Sequence, residues 1–262
     1  MVLSPGIVAA LALAVLVGLS LGLLGGGGAI LTVPILTYVA GISVQQAIPA
    51  SLVIVGTTSL VSTITHARAR RVRWRTGAVV GSTGVLGALG GSLLGKQVPD
   101  PVLMVLFAAM MIAAAVAMLR RRRADAAPAD RQRPSIPRLL LIGLGVGTAT
   151  GLVGAGGGFL LVPALILFAG LPAAVAVGTS LAVVVLNSAI GLTGHLLSTP
   201  LDWPLVLTFT GIAIAGSFLG AAFAGRLPER TLQRTFGVFI LLIAAVVLTQ
   251  EVPAVLGAVG GP

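Results

Sequence analysis

Two glycine-rich interruptions dominate the sequence: GLLGGGGAILTVP at residues 22–34 and GLVGAGGGFLLVP at residues 151–163. Each lies inside a long apolar run, where a helix would otherwise continue. A glycine weakens a helix interior by about 1 kcal/mol relative to alanine. The prolines that follow, Pro34 and Pro163, lack a backbone donor and disfavour one continuous helix through the segment. In hydrocarbon, unpaired backbone groups must be buried in protein or line a polar cavity. Interrupted apolar segments at corresponding positions of two halves are a sequence pointer to a transporter binding site.

The surroundings of the two breaks are strongly apolar. Hydrophobic residues make up 57% of 262 and charged residues 8%, against roughly 25% charged in an ordinary soluble domain; the mean hydropathy is +1.12. A chain so poor in charge reads as an integral membrane protein of several spans. It has no cysteine, which excludes disulfides and thiolate metal sites, and nothing in it calls for a cofactor or a metal. The net charge of +10 does not point to nucleic acid, because the arginines sit in short loops between apolar runs, as topology signals do. The first run, 6–24, has no basic segment before it and reads as a retained helix rather than a cleaved signal peptide.

Taken in order, 6–24 rises about 28 Å as a helix, enough to cross most of a bilayer. Residues 29–40 would rise only about 18 Å and read as a half-helix. Residues 41–46 turn the chain, and 47–65 form a third apolar piece that ends at His66 and the basic loop ARARRVRWR. Residues 76–95 carry Gly77, Gly81, Gly84, Gly87, Gly91 and Gly95 at steps of three or four, which predicts a face for close helix packing. A further span at 101–119 stops at four consecutive arginines. The polar, proline-containing residues 120–138 read as a cytoplasmic basic linker between a first transmembrane repeat, 1–119, and a second, 139–262.

An offset of 129 carries the first half onto the second without a gap. Pro34 falls on Pro163, Gly41 on Gly170, Ser51 on Ser180, Ser59 on Ser188, His66 on His195, Trp74 on Trp203, Gly91 on Gly220, Pro99 on Pro228 and Phe107 on Phe236. Matches of His, Trp and Pro at one spacing indicate an internal duplication. The loop 67–75 holds five arginines, whereas its counterpart 196–204 holds none and has Asp202. Positive loops stay in the cytoplasm, so the two loops belong on opposite sides. Fifteen of the 16 Lys and Arg then lie inside, with Lys96 outside. Five helical segments per half, an odd number, satisfy this by making the second repeat enter inverted; a parallel repeat would put the five-arginine loop and its neutral twin on one side.

With the two glycine motifs, each followed by a glycine and then by ASL (50–52) or TSL (179–181), the chain resembles the sulfite exporter TauE/SafE family over nearly its whole length. The first half departs from the pattern in having Ala29 where the second has Gly158. The resemblance implies a multi-pass protein of the cell membrane, embedded in lipid, that moves sulfite, sulfoacetate or another small inorganic or organic anion.

The residues themselves favour an anion. The apolar segments contain no Asp or Glu, so no carboxylate is available at mid-depth to coordinate sodium or relay protons. Helix N-termini attract anions, and glycines let an anion approach the backbone. Candidate binding residues are therefore Gly25, Gly26, Gly27 and Gly28 in the first break and Gly154, Gly156, Gly157 and Gly158 in the second. The competing reading is that these glycines serve only close packing. Ser51, Thr58, Ser62 and Thr65 share one helical face, and their counterparts are Ser180, Asn187, Gly191 and Gly194. Of these, Ser51, Thr58, Ser180 and Asn187 join the candidate site; Asn187 offers amide N–H donors to an oxyanion or to a neighbouring helix. His66 and His195 end their helices and are candidate gating residues or simple boundary residues. Trp74 and Trp203 read as interface anchors. A Ser/His/Asp set, a metal cluster and a phosphate-loop lysine are all missing, so the enzyme reading is the weakest. The leading reading is a secondary transporter that exports a small anion by alternating access, with an anion-conducting channel on the same fold as the alternative that sequence alone does not separate.

Overall fold

A computed structural model describes residues 5–95, 135–153, 158–195 and 201–226, with short pieces inside 105–119 and 228–249. Its regular elements are helical: α1 (Pro5–Leu24), α2 (Ala29–Pro34), α3 (Val44–Arg68), α4 (Trp74–Gly95), α5 (Ile136–Val153), α6 (Gly158–Leu167), α7 (Ala173–His195) and α8 (Trp203–Arg226). Four of them contain stretches long and apolar enough to cross a membrane: Pro5–Leu24, Gln46–Arg68, Ala173–Leu192 and Trp203–Phe223. The protein is an all-α, multi-pass membrane protein.

Each long helix divides its side chains by the helical period. In α1, Ala10, Ala14, Val17 and Leu21 are fully buried while Val8, Val15 and Leu16 stay exposed. Spacings of four, three and four place the small buried residues on one face, and the exposed apolar face is the one a lipid would cover. The basic linker gives way to helix three residues early, since α5 starts at Ile136 rather than at residue 139.

Glycine decides how the helices pair. The expected packing face of α4 is used against α5: a Cβ added to Gly87 or Gly147 would collide with the backbone of Leu144 or Gly84 respectively. In α1 and α8 the same happens, with Gly18 against Ala213 and Gly216 against Val15. These contacts correspond through the 129-residue offset, because Gly18 and Ala213 fall on Gly147 and Gly84, and Gly216 and Val15 on Gly87 and Leu144. Among the described residues the most extensive pairings thus join the first helix of one half to a later helix of the other, α1 with α8 and α4 with α5. In both pairs the partner numbers rise together, so the helices run parallel. The third major pair, α3 with α7, runs antiparallel: Leu52 lies by Gly191, Gly56 by Ser188 and His66 by Gly178.

Candidate functional site

The first break is a turn rather than an open loop. Gly25–Gly28 form one 3-10 turn between α1 and α2, and only Gly25 takes a positive φ, of 70°. The expected half-helix also takes a different form. It is α-helical over Ala29–Pro34 and widens into a π-helical turn at Ile35–Val39. A proline has no N–H for the preceding turn, and the chain accommodates Pro34 by this change of helix type rather than by stopping. In the second half Pro163 lies inside α6. Gly154, Gly156 and Gly157 fall outside the described residues, and the account of the second break starts at Gly158.

The two breaks meet. A Cβ built on Gly158 would lie 2.8 Å from the Gly26 carbonyl oxygen and 2.8 Å from Val184 Cγ2, and one built on Gly26 would overlap the Gly158 backbone. Glycine at these two positions is therefore required for backbone-to-backbone contact, the packing role that the sequence offered as the competing explanation. Ser180 seals the junction. Its Oγ accepts the N–H of Gly26 at 3.4 Å and donates to the Val177 carbonyl at 2.8 Å. Ser51, its counterpart, makes the matching bond to the Ile48 carbonyl at 2.7 Å. The partner that symmetry would give Ser51 is Ala155, outside the described residues.

Thr58 and Asn187, which the repeat makes equivalent, sit on the crossing helices α3 and α7. Thr58 is fully buried, and neither its hydroxyl nor the Asn187 Oδ1 has a hydrogen-bond partner among the described residues. They are not alone. The hydroxyls of Thr32, Ser59, Ser62 and Thr63 and the Nδ1 of His66 are buried without partners too. Residues 58, 62 and 66 are spaced by four, and 59, 63 and 66 by four and three, so these groups form one broad polar face of α3. Buried polar groups are ordinarily satisfied, and a run of unpaired hydroxyls in an apolar helix bundle is costly unless a polar species visits them. Thr65, at the edge of the predicted stripe, is different: its hydroxyl turns back to the Val61 carbonyl at 3.4 Å.

His66 is no boundary residue. It is 1% exposed, and its Nε2 lies 3.3 Å from the carbonyl oxygen of Gly22, three residues before the first break. His195 is the last residue of α7. Sequence reasoning placed His66 at a helix end, which is correct, but the helix packs that end into the protein. Ser59, Thr63 and Thr32 lie outside the predicted stripe, and Ser59 enters the sequence pattern only as the repeat counterpart of Ser188. Among the described residues no group of three or more His, Asp or Glu is placed to hold a metal.

No solved structure matches the chain. Among curated proteins it is 35% identical over 243 residues to a "Probable membrane transporter protein" of Xylella fastidiosa (strain 9a5c), covering 90% of this chain and 92% of that one. It is 26% identical to "Probable membrane transporter protein YunE" of Bacillus subtilis (strain 168), covering 88% and 93%. A "Probable membrane transporter protein" of Methanocaldococcus jannaschii is 31% identical, covering 78% and 79%. Residues 10–247, both glycine breaks and the helices that cross beside them included, match the sulfite exporter TauE/SafE family. A match of that extent, on a helical membrane protein built around a paired break, means that the chain belongs to the sulfite exporter TauE/SafE family.

Proposed function

We propose that the protein is a secondary transporter that exports a small anion, sulfite or an organosulfonate, by alternating access. The anion is held where the two glycine breaks meet the polar faces of α3 and α7. One observation carries this reading: the hydroxyls of Thr58, Ser59, Ser62 and Thr63 on α3 are buried without partners among the described residues. Hydroxyl groups can donate to an oxyanion, as can the N–H groups of the Asn187 amide but not its Oδ1, and the apolar segments carry no carboxylate to oppose it. The junction itself is closed by backbone contact between Gly26 and Gly158. A bound anion then lies beside that contact, along α3, and the breaks open toward it when the helix pairs α1–α8 and α4–α5 move relative to each other. The antiparallel run of α3 and α7, helices that the repeat makes equivalent, supports an inverted arrangement of the halves, as does the arginine asymmetry of their following loops.

Proteoliposomes test the reading. Uptake of labelled sulfite that saturates and is accelerated by internal unlabelled sulfite is the expected result for a carrier. Uptake that neither saturates nor shows counterflow identifies a conducting pore on the same fold. Failure to move sulfite, sulfoacetate, thiosulfate or formate overturns the anion assignment.

A further inference from the structure

Two cavities open among the described residues, and the internal repeat relates them. One, of about 220 Å³, is lined by Ile7, Ile42, Leu201, Asp202 and Leu205 among others. The other, of about 530 Å³, is lined at the corresponding positions by Ile136, Leu171, Val72, Arg73 and Thr76. The offset puts Asp202 in one and Arg73 in the other. Arg75 and Trp74 also line the larger cavity.

The exchange of Asp for Arg changes what the cavity needs. In the smaller one, Asp202 Oδ1 accepts the N–H of Leu205 at 3.2 Å and caps the first turn of α8 with its own carboxylate. That is the usual way to satisfy a helix N-terminus. In the larger one the residue that would cap α4 is Arg73, which has donors only. The cavity therefore combines two guanidinium groups, a buried threonine and the first turns of α4 and α5, and the only carboxylate among the described residues is Asp202, in the twin cavity. Its walls are tied to α3 and α7. The Arg73 N–H donates to Thr179 Oγ1 at 3.1 Å, and the Arg71 N–H to the His66 carbonyl at 2.8 Å. Trp74 is exposed, as suits a side chain at the membrane–water boundary.

We infer that the cavity walled by Arg73, Trp74, Arg75 and Thr76 is a second oxyanion site, at the mouth of the protein and apart from the glycine breaks. Its ligand is a sulfate- or phosphate-like group, either a free anion from the aqueous phase or the phosphodiester of an anionic lipid. Arginine pairs such oxygens through a planar fork of donors, and the uncapped helix turn adds backbone donors to the same space. This inference does not depend on where the transported anion binds.

The chain contains two tryptophans, which makes the test direct. In a Trp203→Phe protein, fluorescence reports Trp74 alone. In neutral phosphatidylcholine nanodiscs at constant ionic strength, quenching of Trp74 by iodide should exceed quenching by neutral acrylamide about threefold, a local enrichment of the kind a basic cleft produces. In the converse Trp74→Phe protein, Trp203 beside Asp202 should show no such preference. Suppression of the iodide effect by millimolar sulfate or phosphate identifies a free anion. Suppression only when phosphatidylglycerol replaces phosphatidylcholine identifies a lipid headgroup. Arg73→Asp, which copies the twin cavity, should abolish the preference, and the milder Arg73→Gln and Arg75→Gln should each reduce it in well-folded protein. Equal quenching of Trp74 by iodide and acrylamide, or iodide preference unchanged in these variants and by both phosphate sources, overturns the inference.

Discussion

The backbone N–H of Gly26 donates to Ser180 Oγ at 3.4 Å, so that a side chain of the second half closes a turn of the first. Ser180→Ala leaves that N–H buried without an acceptor. The variant should lose about 1 kcal/mol of stability, the usual worth of one such bond, and should lower transport by loosening the junction. Thermal melting in detergent and sulfite flux in proteoliposomes measure the two effects. A Ser180→Ala protein indistinguishable from wild type in both would show that the bond is incidental.

Gly26 and Gly158 test the backbone contact. Because a Cβ at Gly158 would press on the Gly26 carbonyl and on Val184, Gly158→Ala should destabilise by roughly 1–3 kcal/mol, the cost of overpacking. Gly26→Ala should do at least as much harm. Gly90 is the control, since nothing lies within 4 Å of the position its Cβ would take; Gly90→Ala should be neutral or stabilising by up to about 1 kcal/mol. Equal melting shifts at all three positions would contradict the contact.

The polar face of α3 separates binding from folding. Thr58→Val keeps the shape and removes a hydroxyl that has no partner; stability should be unchanged or rise, because no bond is lost and a desolvation penalty is relieved. Sulfite transport should fall about tenfold, the effect of one lost hydrogen bond to a charged ligand. Asn187→Leu should behave similarly. Normal transport by a stable Thr58→Val, Asn187→Leu double variant would remove these residues from the site.

Topology is open to labelling because the chain has no cysteine of its own. Single cysteines at Arg70 and Asp202, both exposed, should react with an impermeant thiol reagent from opposite sides of the membrane: position 202 in intact cells, position 70 only after permeabilisation. Reaction of both from one side is incompatible with inverted halves.

Much of this architecture is legible in the sequence because lipid leaves few choices. Apolar length gives the spans, and the glycines of α4 at steps of three and four give a packing face that α5 then occupies. What stays hidden depends on contacts between residues far apart in the chain. The 3-10 turn at Gly25–Gly28 is fixed by Gly158 and Ser180, more than 130 positions downstream. The burial of His66 depends on the Gly22 carbonyl, 44 residues upstream. Local pattern shows that a break exists and cannot show what shape it takes. The unpaired hydroxyls are half visible: Thr58 and Ser62 fall on the periodic stripe, whereas the burial of Thr32 depends on the fold.

The pairing of α1 with α8 and of α4 with α5 has a mechanical consequence. The two sequence repeats are not two solid blocks, since each packs its first helix against a helix of the other through backbone-tight glycine contacts. The packed units are composite, one built from α1 and α8 and the other from α4 and α5, and in the alternating-access reading proposed above these pairs, rather than the two halves, would be the units that tilt. The same interlock governs biogenesis. When the first half leaves the ribosome its α1 and α4 still lack their main partners, so the first half expressed alone should stay incomplete until the second is supplied.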